Sequence, residues 1–123
     1  MPVKVIDASA LAAVVFAEPD AAAVMAAAAG SSLVAPSLLR IEVASVCLKK
    51  IRARPHQRSA FLAAFQLAYR LDIETAHVEL PQAIELAEHA GLSLYDACYL
   101  WLSRALGCEL LTLDKRLAAA NKR

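Results

Sequence analysis

Glycine is scarce in this sequence, at 3 residues, and proline little commoner at 5, so a chain of 123 residues has few of the turns an all-β design needs. Alanine and leucine fill the space, which favours helices joined by short strands. The 3 cysteines, Cys47, Cys98 and Cys108, form no even set and no CxxC pair. Neither a disulfide framework nor a zinc site is indicated; small core residues of a reducing compartment are. No sign of charge dominates, since the formal net charge is +1, and the molecule as a whole calls for no strongly charged partner. No apolar run reaches the roughly 18 residues of a membrane span, because "ALAAVVFA" meets Glu18 and Pro19. The N-terminus has no basic region followed by an apolar core and a cleavage site, so the chain reads as soluble and cytoplasmic. GxSxG, HExxH, GxxxxGK[ST] and GxGxxG are all missing, and His56, His77 and His89 are scattered away from the cysteines. Side-chain nucleophile chemistry and phosphate-cradling loops therefore have no support.

What is present is apolar: 59% of residues are hydrophobic, enough for one domain over residues 1–123 to bury a sizeable core. Val3 to Ile6 is a short β-branched run suited to a strand buried on both faces. Ser9 caps a helix through Ala17, Glu18 to Asp20 breaks it, and an alanine-rich helix follows to Gly30. Leu33 to Ala35 reads as a second strand, with Pro36 and Ser37 opening a helix to about Arg52. Pro55 separates this from a helix over roughly Gln57 to Arg70. "LDIET" is a third strand, Val78 to Ala90 a helix stopped by Gly91, and "GLSLYDACYLWLSRALG" a helix between two glycines. "CELLTL" is a fourth strand and "DKRLAAANKR" a last helix. Alternating strands and helices imply an α/β fold: a parallel sheet with helices on both faces, and a helical hairpin projecting between strands two and three. Functional groups of such a sheet gather at the carboxyl ends of its strands.

Four acids stand out by position. Asp7 ends strand one and Asp114 follows the last strand. Glu42 shares a helical face with Leu38, Leu39, Ser45 and Val46, and Asp96 one with Leu92, Tyr99, Leu100 and Ser103. Each has a structural role open to it: Asp7 and Asp114 as N-caps, Ser93 with Asp96 as a capping box, Glu42 as the partner of an arginine. The topology, however, brings all four to one edge of the sheet. Like charges a few ångströms apart in a partly desolvated cleft cost several kcal/mol, more than a cap contributes, and a divalent cation removes that cost. Oxygen ligands without His or Cys select Mg²⁺ or Mn²⁺. Such an ion can activate a water and neutralise charge developing on a phosphate, with no side-chain nucleophile. Ser9 and Thr112, each two positions from an acid, are suited to orienting the ligands. A basic cluster, Lys49, Lys50, Arg52, Arg54, His56 and Arg58, and a second with Lys115, Arg116, Lys122 and Arg123, are solvated faces or phosphate contacts.

The segments "VIDASAL", "APSLLRIEVASV", "GLSLYDACYLWLSRALG" and "LLTLDKRL", in this order and spanning nearly the whole chain, resemble the PIN-domain ribonucleases, and within them the small VapC-type toxins of toxin and antitoxin pairs. The resemblance implies an acidic Mg²⁺ or Mn²⁺ site of Asp7, Glu42, Asp96 and Asp114 and endonucleolytic cleavage of RNA. It also implies a homodimer and a cognate antitoxin covering the acidic groove. Members often carry a further Asp or Asn after the fourth acid, where this chain has Lys115, Arg116 and Leu117. The absence of an extra RNA-binding domain favours the toxin branch. On this reading Lys49, Lys50, Arg52, Arg54, Lys115 and Arg116 hold the RNA backbone. Two other readings stay open. A receiver-like phosphoacceptor domain needs an adjacent acid pair after strand one, where a single Asp7 stands, and an aspartate after strand three, where "IETAH" has none. A catalytically silent binding module would use the acids only as caps.

Overall fold

The computed structural model describes residues 1–122. Its strands are β1 (Val3–Ile6), β2 (Ser32–Pro36), β3 (Ile73–Ala76) and β4 (Glu109–Leu111). The helices are α1 (Ala8–Val15), α2 (Ala21–Ala28), α3 (Leu39–Ala53), α4 (Arg58–Ala68), α5 (Leu80–Ala90), α6 (Leu94–Leu106) and α7 (Lys115–Asn121), with a 3₁₀ turn at Pro55–Gln57. All strand pairs are parallel and the order is β3-β2-β1-β4. From β1 to β3 the chain steps one way along the sheet, and from β3 to β4 it returns across it. Right-handed crossovers then place α1 to α4 on one face and α5 and α6 on the other. Packing agrees, since α1 touches α2, α3 and α4, while α6 lies across β1, β2 and β4.

The first strand forms on the β-branched run Val3–Ile6 and the others on short apolar runs, and the core sits on them. Val5, Ile6, Leu11, Val43, Tyr99, Leu100 and Leu117 are the largest side chains removed from water. Burying one leucine of this kind contributes about 1.5–3 kcal/mol. Gly91 (φ +66°) and Gly107 (φ +61°) end α5 and α6 in the left-handed conformation that an L side chain adopts only under strain.

Three local expectations need correction. Asp7, not Ser9, caps α1: its carboxylate accepts from the Ala10 N–H, and Ser9 is already inside the helix. Pro36 belongs to β2, so α3 opens at Leu39; its fixed φ suits the end of a strand. Val78 lies before α5, buried in a small satellite core with Ala83 and Cys98. The predicted last helix runs to Arg123, which lies outside the described residues. Between β2 and β3, α3 and α4 form the hairpin. Its inner side rests on the end of α1 through an edge-to-face pair of Phe16 and Phe61 at 6.2 Å, and Arg40 closes it by donating to the Ala68 carbonyl at 3.2 Å.

Because α6 crosses three strands, truncating its buried face is expected to be costly. Leu100→Ala should lose about 2–5 kcal/mol in urea unfolding, against about 0.5 kcal/mol or less for Leu106→Ala on the half-exposed end of the same helix. Equal losses would show that α6 is not the sheet's main cover.

Candidate active site

A parallel sheet delivers helix N-termini to its carboxyl edge, and every one of the four acids sits at such an end. Asp7 and Asp114 are the N-caps of α1 and α7, while Glu42 and Asp96 lie in the first turns of α3 and α6. The positive ends of the helix dipoles favour carboxylates there. The structure brings the four into one electrostatic group: Asp7 and Glu42 each feel Asp96, Glu42 feels Asp7, and Asp96 feels Asp114.

Asp7 is the best-held member, buried at 4% exposure. The ladder of β1 with β4 continues one step past Ile6, through an Asp7 N–H bond to the Leu111 carbonyl at 3.1 Å. That step sets Thr112 beside it. Ser9 Oγ donates to Asp7 Oδ1 at 2.7 Å and Thr112 Oγ1 donates to Oδ2. Each hydroxyl in turn accepts a backbone N–H of the β4–α7 link, Ser9 from Leu113 at 2.9 Å and Thr112 from Asp114 at 3.0 Å. The Ala10 N–H also donates to Oδ1, at 2.9 Å. Both residues expected to orient an acid thus stand directly on Asp7.

Glu42 is held by a residue that sequence reasoning passed over. The hydroxyl of Tyr99, a side chain only 1% exposed, donates to Glu42 Oε1 at 2.7 Å. The available signal was its offset of three from Asp96 on the buried face of α6, which aims a polar-tipped aromatic at the same edge. No arginine pairs with Glu42 among the described residues. Burial pushes the Asp7, Glu42 and Asp96 carboxyls above their ordinary values, against the hydrogen bonds that lower them, and neighbouring acids push the same way. Burial and the bond to Glu42 likewise raise the Tyr99 phenol, so it stays a donor. The positive charge of Arg116 acts on Asp96, and it donates to the Gly91 carbonyl at 2.6 Å, tying α7 to the α5–α6 turn.

The donor chemistry, four carboxylates and two hydroxyls, fits a hard divalent cation. The side chains as they are turned do not yet meet at one point: among the described residues, no three His, Cys, Asp or Glu groups stand close enough to hold an ion together. At two of them, Asp7 Oδ1 and Asp114 Oδ1 accept from the N–H groups of Ala10 and Leu117, each at 2.9 Å.

The expected basic residues divide. Lys49, two turns along α3 from Glu42, lines a groove of about 400 Å³ with Glu42, Ala8, Ile41 and Tyr95. Lys50 and Arg54 instead line a separate cavity with Phe16 and Glu18, where Lys50 pairs with Glu18 at 3.6 Å and lies over the Phe16 ring. Arg52 is exposed near the end of α3, and Lys115 and Arg116 are exposed at the start of α7 beside Asp114.

Residues 4–123 match the PIN domain profile. The chain belongs to the PIN domain family. The crystal structure of PAE2754 from Pyrobaculum aerophilum resembles this PIN domain at a TM-score of 0.78 and 21% identity, covering 98% of this chain and 87% of that one, a likeness of fold. No curated protein sequence matches the chain. PIN domains are generally nucleases and typically use divalent metal ions. Among the described residues no helix is long and apolar enough to cross a membrane.

If repulsion and burial set the cluster's energetics, removing one charge should stabilise the protein in EDTA. Asp96 binds its proton more tightly folded than unfolded, so its contribution to stability falls as pH rises from its ordinary value of 3.8. Asp96→Asn is expected to unfold at higher urea than wild type at pH 7.5 and to lose that advantage by about pH 4. A destabilised variant at pH 7.5 would contradict the strain assigned to the cluster.

Proposed function

We propose that this PIN domain is a divalent-metal-dependent endoribonuclease and the toxin component of a toxin-antitoxin pair. The observation that carries the reading is the coupled group of Asp7, Glu42, Asp96 and Asp114, three of them with raised proton affinity, at the carboxyl edge of the sheet. Caps alone account for Asp7 and Asp114, at about 1 kcal/mol each. They do not account for Glu42, which accepts from Tyr99 inside the first turn of α3, and at Asp96 the bond to the capping Ser93 leaves unexplained why the side chain stands within reach of the other acids.

Asp7 and Asp96 would hold Mg²⁺ or Mn²⁺ most directly, with Glu42 and Asp114 ligating through water or holding a second ion. When bound, the ion supplies charge neutralisation at the phosphate and activation of the attacking water. The protein's part is positioning. Ser9 and Thr112 fix the Asp7 carboxylate by one hydroxyl on each oxygen, and Tyr99 fixes Glu42 through one oxygen of its carboxylate. In-line attack of water breaks the bond from phosphorus to the 3′ oxygen and leaves a 5′-phosphate and a 3′-hydroxyl. Lys49, Lys115 and Arg116, exposed near the acids, would hold the RNA backbone. A homodimer finds support in the exposed pair Leu80 and Ile84, four residues apart on α5, and an antitoxin segment would cover the acidic cleft.

A silent binding module is the second reading, favoured by the two caps and by the lack of three acids in ligating reach. Two assays separate them. Wild type should cut single-stranded RNA in Mg²⁺ or Mn²⁺ and lose cutting in EDTA, with Asp7→Asn slower by roughly 100-fold or more. Equal RNA turnover under all these conditions removes the metal mechanism. In calorimetric titration with Mn²⁺, heat that Asp96→Asn abolishes supports the site, and Tyr99→Phe should weaken the affinity by about 10-fold or more; no heat with wild type supports the caps.

A further inference from the structure

Beside the acids runs a groove between α3 and the start of α6, about 400 Å³ in volume. Tyr95, which immediately precedes Asp96, is 61% exposed in its wall, and Ile41, which immediately precedes Glu42, is 74% exposed. Ala8 and Val46 supply further apolar lining, Ser45 a hydroxyl, and Lys49 an exposed amine. Glu42 belongs both to this groove and to the acidic cluster, so the two are continuous.

An exposed tyrosine and isoleucine facing one groove beside an acidic site form an apolar wall of the kind that ligand-binding grooves present. The chemistry of the walls indicates what does. A flat aromatic face beside aliphatic side chains takes a planar ring by stacking, and every nucleobase offers such a face. Lys49 is available to a phosphate, since no carboxylate among the described residues lies within ion-pair reach of it. Along α3, seven residues separate Glu42 from Lys49, or about 10 Å of helix, a span of the order of one to two steps of an extended nucleic-acid strand. A paired base is stacked on both sides and cannot present its face, so the groove selects a single strand.

Resting on the ribonuclease reading, we infer that this groove is the subsite for an unpaired nucleobase next to the scissile phosphate, with Tyr95 as its stacking platform and Lys49 as the contact to a neighbouring phosphate. The exposed apolar wall then has a substrate partner. A second copy of the chain covering the same face is the competing occupant.

The test is fluorescence anisotropy of a short labelled single-stranded RNA, with Mn²⁺ present and every variant built on Asp7→Asn so that the strand stays intact. Tyr95→Ala should weaken binding about tenfold while Tyr95→Phe stays within about twofold of the parent. Lys49→Ala should lower the slope of log affinity against log salt by roughly 0.7, the signature of one lost phosphate contact. A duplex of the same length should bind more weakly than the single strand. Circular dichroism of each variant checks the fold, and sedimentation its oligomeric state. Unchanged RNA affinity in Tyr95→Ala overturns the subsite, and if that variant also dissociates a dimer, the face belongs to a second copy. Cleavage by the protein with native Asp7 is read separately: cutting with a silent Tyr95 spares the nuclease and sinks the groove, whereas binding that depends on Tyr95 without cutting spares the groove and sinks the nuclease.

Discussion

A carboxylate buried at the end of a central strand has to be hydrogen-bonded on both oxygens, and meeting that demand at Asp7 organises the whole edge of this sheet. Two hydroxyls and one backbone N–H converge on it, from α1 and from the residue that follows β4. The same hydroxyls take up the N–H groups of Leu113 and Asp114, so the chain leaving β4 is steered by the group it solvates. Fold and site are here one set of bonds. Removing a partner leaves a desolvated charge, which costs more than the bond itself contributed.

The cluster also shows how structural and chemical duties coexist in one side chain. Asp7 and Asp114 cap helices, and the caps stabilise. Their neighbours in space are acids brought from α3 and α6; burial is the main cause of the raised proton affinities of Asp7, Glu42 and Asp96, and the nearby like charges add to it. Arg116 offsets part of it at Asp96 but stands at the outer rim, committed to the Gly91 carbonyl. Such stored repulsion is characteristic of sites that take up a cation, because the same arrangement that weakens the fold strengthens the ligand.

Much of this was legible in the chain. Strand positions followed from short apolar runs between helical segments, and the parallel sheet from the alternation of strands with helices, because a right-handed crossover leaves few alternatives. The four acids were legible because each breaks an apolar pattern. Finer matters were not. Which of Asp7 and Ser9 caps α1 depends on backbone angles at a single residue, and a sequence in which both residues favour the cap does not decide it. The bond from Tyr99 to Glu42 spans 57 positions and depends on how α6 lies across the sheet, a tertiary fact with no local signature. The basic run read as one patch, yet helical rotation sends Lys49 to the acidic groove and Lys50 to Phe16 and Glu18.

The pairing of β1 with β4 carries an implication for how this molecule tolerates change. Ile6 stands opposite Leu111, and one further step sets Asp7 against Thr112. Strand alternation means that sliding β4 by a single position would exchange Thr112 for an aliphatic neighbour and turn every β4 side chain to the opposite face of the sheet. Insertions and deletions near residue 111 therefore strike the carboxylate of Asp7 together with the packing of β4. The ruler that spaces the acids is the hydrogen-bond ladder itself.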